Sequence, residues 1–134
     1  MKQTRMTAAQ YRAAPAKRRH KYGAKRTVVD GLKFDSKGEA FRWLTLKHQE
    51  RAGLIEALTR QPKIALYVKT QTVGSYIGDF SYYVRGTPTV GRHRVIEDWK
   101  GYDTPFAKWK RKHCELQSGI KILLTGPAKR RRSA

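Results

Sequence analysis

Residues 75–101 read SYIGDFSYYVRGTPTVGRHRVIEDWKG. Two runs in this stretch, Tyr76 to Val84 and Arg94 to Lys100, are rich in aromatic and β-branched residues and are separated by Gly, Pro and Thr. That is the composition of consecutive β-strands joined by a turn-rich loop. On an extended chain successive side chains alternate between faces, so Asp98 and Lys100 point one way while Glu97 and Trp99 point the other. Local geometry alone therefore sets a carboxylate beside an ammonium. Such a carboxylate can orient a Mg²⁺ ion. Such an ammonium can help position an attacking water and offset charge on phosphate, and together these are the parts of phosphodiester hydrolysis. A strand-end salt bridge with no catalytic role has the same pattern, and a lone D-x-K triplet is too short to separate the two. Asp79 adds an acid on the preceding strand, among residues that would otherwise be core. Burying an unpaired carboxylate is expensive, so Asp79 calls for a metal ion, a basic partner or a strand end open to water.

Upstream, Ile64 to Lys69 reads as one further strand. Before it, Ser36-Lys37-Gly38-Glu39 fits the S-x-x-E capping box, and AFRWLTLKHQERAG carries helical spacing to a stop at Gly53. A helix from Ser36 to Ala52 is expected. Glu39 then has two readings, as the N3 cap of its own helix and as a third acid of the site. Downstream, Thr104-Pro105 opens a second helix as N-cap and N1, and Gly119 ends it. Over Thr104 to Ser118 the residues Phe106, Trp109, His113 and Leu116 form the apolar stripe expected to face the core. Lys108, Arg111 and Lys112 fall opposite, as a phosphate-gripping face or an ordinary solvated one. Ile120 to Leu124, IKILL, reads as a last strand buried on both faces. The expected order is helix, three strands, helix, strand, an α/β (α+β) domain.

At 134 residues the chain has the length of one domain, here residues 28–126. Residues 1–27 are basic and carry no acidic side chain, and residues 127–134, PAKRRRSA, form a second basic tail. The formal net charge is +20, from 30 Lys and Arg against 10 Asp and Glu. Self-repulsion on that scale calls for a polyanionic partner. Nucleic acid fits, held by Arg18, Arg19, Lys21, Lys25 and Arg26 of the arm and Arg130, Arg131 and Arg132 of the tail. No apolar run approaches a membrane span, so no membrane partner is expected. Cys114 is the single cysteine and lacks an evident base, and His20, His48, His93 and His113 have no ligand spacing. Neither residue type enters the expected site.

The succession K-Y-G-A-K (Lys21 to Lys25), F-D-S-K-G-E-A (Phe34 to Ala40), Gln61-Pro62, Asp79-Phe80 and E-D-W-K-G (Glu97 to Gly101) is far more specific than any one triplet. In content and order it resembles the PD-(D/E)XK nucleases, and within them a phage-encoded family of small proteins of unknown function. The resemblance spans about Lys21 to Leu124. It implies a restriction-endonuclease-like core, a mixed sheet flanked by helices, with catalytic Glu39, Asp79, Asp98 and Lys100. Mg²⁺ or Mn²⁺ would be held by Asp79 and Asp98, assisted by Glu39, with Gln61 as an auxiliary glutamine. Glu97 competes with Asp98 as ligand, but the residue two beyond it is Trp99, which cannot replace lysine. Gly78 stands where the superfamily name has proline. The implied activity is hydrolysis of duplex or branched DNA, a Holliday junction or a flap, in phage DNA metabolism inside a bacterial cytoplasm. Paired cuts at a junction would require a homodimer. The competing reading is a non-catalytic basic nucleic-acid-binding protein whose acids are structural.

Overall fold

The computed structural model describes residues 25–127. Among them the order is β1 (Thr27–Val29), β2 (Leu32–Phe34), α1 (Lys37–Arg51), β3 (Ile55–Arg60), β4 (Lys63–Val68), β5 (Gln71–Ile77), β6 (Phe80–Val84), β7 (His93–Trp99), α2 (Pro105–Ser118) and β8 (Ile122–Thr125). The chain is thus a mixed α+β domain. Both expected helices and the strands around the site are present, while β1, β2 and β3 are additions. The expected strand from Tyr76 to Val84 is divided at Gly78-Asp79 into β5 and β6.

A four-stranded mixed sheet in the order β3-β6-β7-β8 forms the centre. β3, β6 and β7 pair antiparallel, and β8 pairs parallel with β7 through the α2 crossover. One face is covered by α1 and the β1–β2 hairpin. There Ala40, Trp43 and Leu46 at helical spacing bury against Phe34, Ile55, Phe80 and Tyr82. Trp43 stacks on Phe80 with ring centroids 5.9 Å apart. On the other face α2 and the β4–β5 hairpin enclose Leu66, Tyr76, Ile96, Cys114 and Ile122.

Local signals explain the element ends. Ser36 caps α1 by accepting from the Glu39 N–H, and Thr104 caps α2 by accepting from the Ala107 N–H. Gly119 closes α2 at φ 70°, a left-handed position suited to glycine. Asp30 and Gly31, both at positive φ, make the two-residue turn of the first hairpin.

Two expectations need correction. The stripe on α2 does not face the core: Phe106, Trp109 and Leu116 are exposed, and the helix buries Cys114 instead. Packing turns it this way because His113 Nε2 contacts the Tyr67 carbonyl at 2.8 Å, and Gln117 bonds the backbone of both Ala65 and Tyr67. Those polar anchors fix the helix on the edge of β4. The last strand is Ile122–Thr125, and it is not buried on both faces: Ile122 is buried, but Leu123 and Leu124, which point to opposite faces, are both exposed. As the outermost strand of its sheet, β8 has a neighbour on one side only, so its later residues lie at the rim of the layers that cover the sheet.

Candidate functional site

Asp79 lies at a corner where the chain passes from the β4–β5 hairpin into the central sheet, and main-chain hydrogen bonds hold it on two sides. Its N–H donates to the Glu97 carbonyl at 2.9 Å, and its own carbonyl accepts from Gln61 N–H at 2.8 Å. Gly78 beside it donates to the Pro62 carbonyl at 3.1 Å, a bond that proline could not make. A Cβ at position 78 would also come within 2.9 Å of Ile96 Cγ2. Glycine at position 78 therefore follows from this corner's own geometry. The Asp79 carboxylate accepts from the Trp99 N–H at 2.5 Å, which aims it at the end of β7.

Asp98 is buried on β7, and its two oxygens have different partners. The Tyr76 hydroxyl donates to one at 2.7 Å, and Lys100 Nζ stands 3.1 Å from the other. The alternation expected of D-x-K is thus realised. Lys100 itself lies just past the strand, with its N–H donating to Thr125 O at 2.7 Å. Because Asp79 is bonded to the N–H of the residue that follows Asp98, the two acids are close enough for the charge of Asp98 to act on Asp79. Burial, with the negative charges of Asp98 and Glu39 nearby, pushes the Asp79 carboxyl up to about 7 against the opposing bond from Trp99. Burial, above all, also raises Glu39, with Asp35 and Asp98 adding to it. The three acids therefore share one electrostatic neighbourhood.

Glu39 and Asp79 line an open cleft of about 700 Å³ with Ser36, Trp99, Lys100 and Tyr102, and Lys100 and Thr104 are shared with a second cleft of about 290 Å³ that reaches Tyr76 and Asp98. Lys100 thus stands between two mouths of one region. Among the described residues, no three His, Cys, Asp or Glu side chains are grouped closely enough to hold an ion as a set. The Asp79–Asp98 pair is what remains as donor. Two hard oxygen donors suit Mg²⁺ or Mn²⁺, since Mg²⁺ commonly takes one or two carboxylates and completes its shell with waters and substrate phosphates. Burial first and the neighbouring acids second raise the Asp79 carboxyl, and a divalent ion bound there would offset both.

Glu97 has a different task. Fully buried on the opposite face, it accepts from Arg42 Nε at 2.9 Å and Nη2 at 2.5 Å, and from the Tyr82 hydroxyl at 2.5 Å. It ties α1 to the sheet and is not available as a ligand. Arg42, Tyr82 and Tyr76 were not foreseen. For Arg42 a signal exists, because it is the basic residue set among Glu39, Ala40, Trp43 and Leu46 on the inward side of α1. Both tyrosine hydroxyls are pushed well above the usual phenol range, first by burial and then by their carboxylate acceptors, so they remain donors.

The remaining candidates separate. Gln61 is exposed and reaches Asp79 through its main chain. Arg111, expected to face phosphate, instead forks Asp103 at 2.7 and 3.1 Å and is largely buried, whereas Lys108 and Lys112 are exposed. Lys25 is exposed, and Arg26 lies 4.0 Å from Asp35. Arg18, Arg19, Lys21, Arg130, Arg131 and Arg132 lie outside the described residues. No helix among the described residues is long and apolar enough to cross a membrane.

No curated protein and no solved structure matches the chain. A family described as Protein of unknown function (DUF1064) matches it over residues 19–124. With four-fifths of its length so matched, the chain belongs to that family.

Proposed function

We propose that this protein is a Mg²⁺- or Mn²⁺-dependent endodeoxyribonuclease of the PD-(D/E)XK kind. The observation that carries the reading is that the Asp79 carboxylate is bonded by the N–H of Trp99, the residue after Asp98, while Lys100 stands 3.1 Å from Asp98. The arrangement of elements supports it: a helix bearing Glu39, antiparallel strands bearing the acids, and a crossover helix leading to a parallel strand are the parts of a restriction-endonuclease-like core. Asp79 and Asp98 would hold the ion, which when bound supplies Lewis-acid stabilisation of charge on phosphate. The Trp99 N–H and the Tyr76 hydroxyl fix the direction of those carboxylates. Lys100, reaching from Asp98 to both clefts, orients the attacking water and offsets charge on the scissile phosphate. Glu39, which lines the larger cleft, would assist through the metal or the water, where a raised carboxyl is a better base than an ordinary glutamate. The net charge of +20 favours a polyanionic substrate. DNA, including branched forms such as junctions and flaps, is the proposed substrate, handled in a phage-infected bacterial cytoplasm, by a homodimer where paired cuts are made.

A second reading has its own support. Lys100 and Tyr76 together satisfy Asp98, so a purely structural ion pair in a non-catalytic nucleic-acid binder would have the same contacts. One assay separates the two. Incubating the protein with plasmid and branched DNA in Mg²⁺, Mn²⁺ or chelator should give cleavage in the metal arms only, and Asp98→Ala or Lys100→Ala should abolish it with DNA binding retained. Undiminished cleavage by both variants would remove the site, and binding without cleavage in every arm would favour the second reading.

A further inference from the structure

The exposed face of α2 is unusual for a helix that begins beside Asp98. Phe106, Trp109 and Leu116 are 66, 57 and 78% exposed, and with His113 they form one continuous row. The Phe106 and Trp109 rings lie nearly parallel, 13° apart with centroids at 6.2 Å, and His113 meets Trp109 edge-on at 5.8 Å. The rings from Phe106 to His113 are therefore contiguous, and those of Phe106 and Trp109 are open to solvent. Cations flank it. Lys110 Nζ stands 5.4 Å over the Phe106 ring, and Lys112 is one turn from both Trp109 and Leu116. The row starts at the smaller cleft, whose wall is shared by Phe106, Lys110, Asp98 and Lys100.

We infer that this face of α2 is a stacking platform for an unpaired nucleic-acid strand leading into the cleft. Aromatic faces edged by lysines are complementary to a ligand that is anionic along its backbone and flat and apolar at its bases. A duplex offers the charge, but its base faces are already stacked within it. A second copy of this chain offers apolar surface but, at +20, none of the negative charge that the flanking lysines call for. The basic segment 1–24, without one acidic residue, meets the same objection at a lysine-edged row. The inference takes its location from the nuclease reading and would assign that site a substrate with an unpaired stretch, such as a flap or an opened branch.

The test is binding without cleavage. A fluorescently labelled oligodeoxythymidylate and a duplex of equal length are titrated with the full-length protein in chelator, and anisotropy is read for wild type, Trp109→Ala and Trp109→Phe. In Trp109→Ala the single-strand affinity should fall roughly tenfold or more relative to the duplex affinity, as loss of one stacked base implies, and Trp109→Phe should recover most of it. Thermal unfolding identifies a variant that fails to fold, in which case Trp109→Lys, which removes the ring and keeps a long side chain, must show the same selective loss. An equal fall on both ligands or no fall overturns the inference. So does a dimer that light scattering shows to be broken by Trp109→Ala, or a platform exposed only on deletion of residues 1–24. Selective loss in a protein that never cleaves DNA would sink the nuclease reading and leave the platform standing; cleavage with no selective loss would do the reverse.

Discussion

Glu97 and Asp98 are neighbours in the chain with opposite duties, and the pleat of β7 makes the division. Glu97 is enclosed with Arg42 and Tyr82 on the α1 side, while Asp98 turns to Tyr76 and Lys100 on the other. Removing one partner of a buried ion pair leaves the other desolvated, at a cost of about 3–5 kcal/mol. Arg42 is a quarter exposed and can turn toward water, so Glu97→Ala should cost near the lower end, about 3 kcal/mol. Urea unfolding measures it, and a loss below about 1 kcal/mol would show the pair to be incidental. The opposition of the two side chains was legible from the period of two, and Trp99 in place of a second lysine pointed to Asp98. What occupied the other face was not legible, because Arg42 lies 55 positions away and only the packing of α1 brings it there.

At the scale of elements, end signals were more readable than faces. Ser36, Thr104, Pro105 and Gly119 marked helix boundaries because each answers a local need, an unpaired N–H or a left-handed φ. Gly119→Ala puts a side chain at φ 70° and should cost about 1 kcal/mol, read as a fall in the thermal midpoint; an unchanged midpoint would mean that the turn after α2 relaxes freely. The face that α2 buries depends on distant partners. Cys114 beneath the helix, the Arg111–Asp103 fork and the His113 and Gln117 anchors on β4 outweigh a stripe that is apolar by composition. The first hairpin carried a local signal in Asp30-Gly31, but flanks of three residues each are too short for periodicity to mark as strands. β3 has a bulge at Ala57, φ 52°, which breaks the alternation that would announce it.

The whole molecule sets a surplus of positive charge around the buried acids Glu39 and Asp98 and the half-buried Asp79. Burial, with the neighbouring negative charges, raises the carboxyls of Glu39 and Asp79, and shifts of that kind are what the proposed function draws on. The order of the acids along the chain could be read from the sequence, but their convergence could not: Asp79 reaches Asp98 through a corner built from Gln61, Pro62 and Gly78 and through the Trp99 N–H, contacts that no spacing encodes. The central claim is that Asp79 and Asp98 hold one divalent ion on which DNA cleavage depends. Calorimetric titration of Mn²⁺ into wild type, Asp79→Asn and Asp98→Asn, each assayed for cleavage in the same buffer, tests it most directly. The account predicts saturable binding in wild type, at least tenfold weaker binding in each variant and loss of cleavage in parallel; wild-type Mn²⁺ affinity retained in both variants would contradict it.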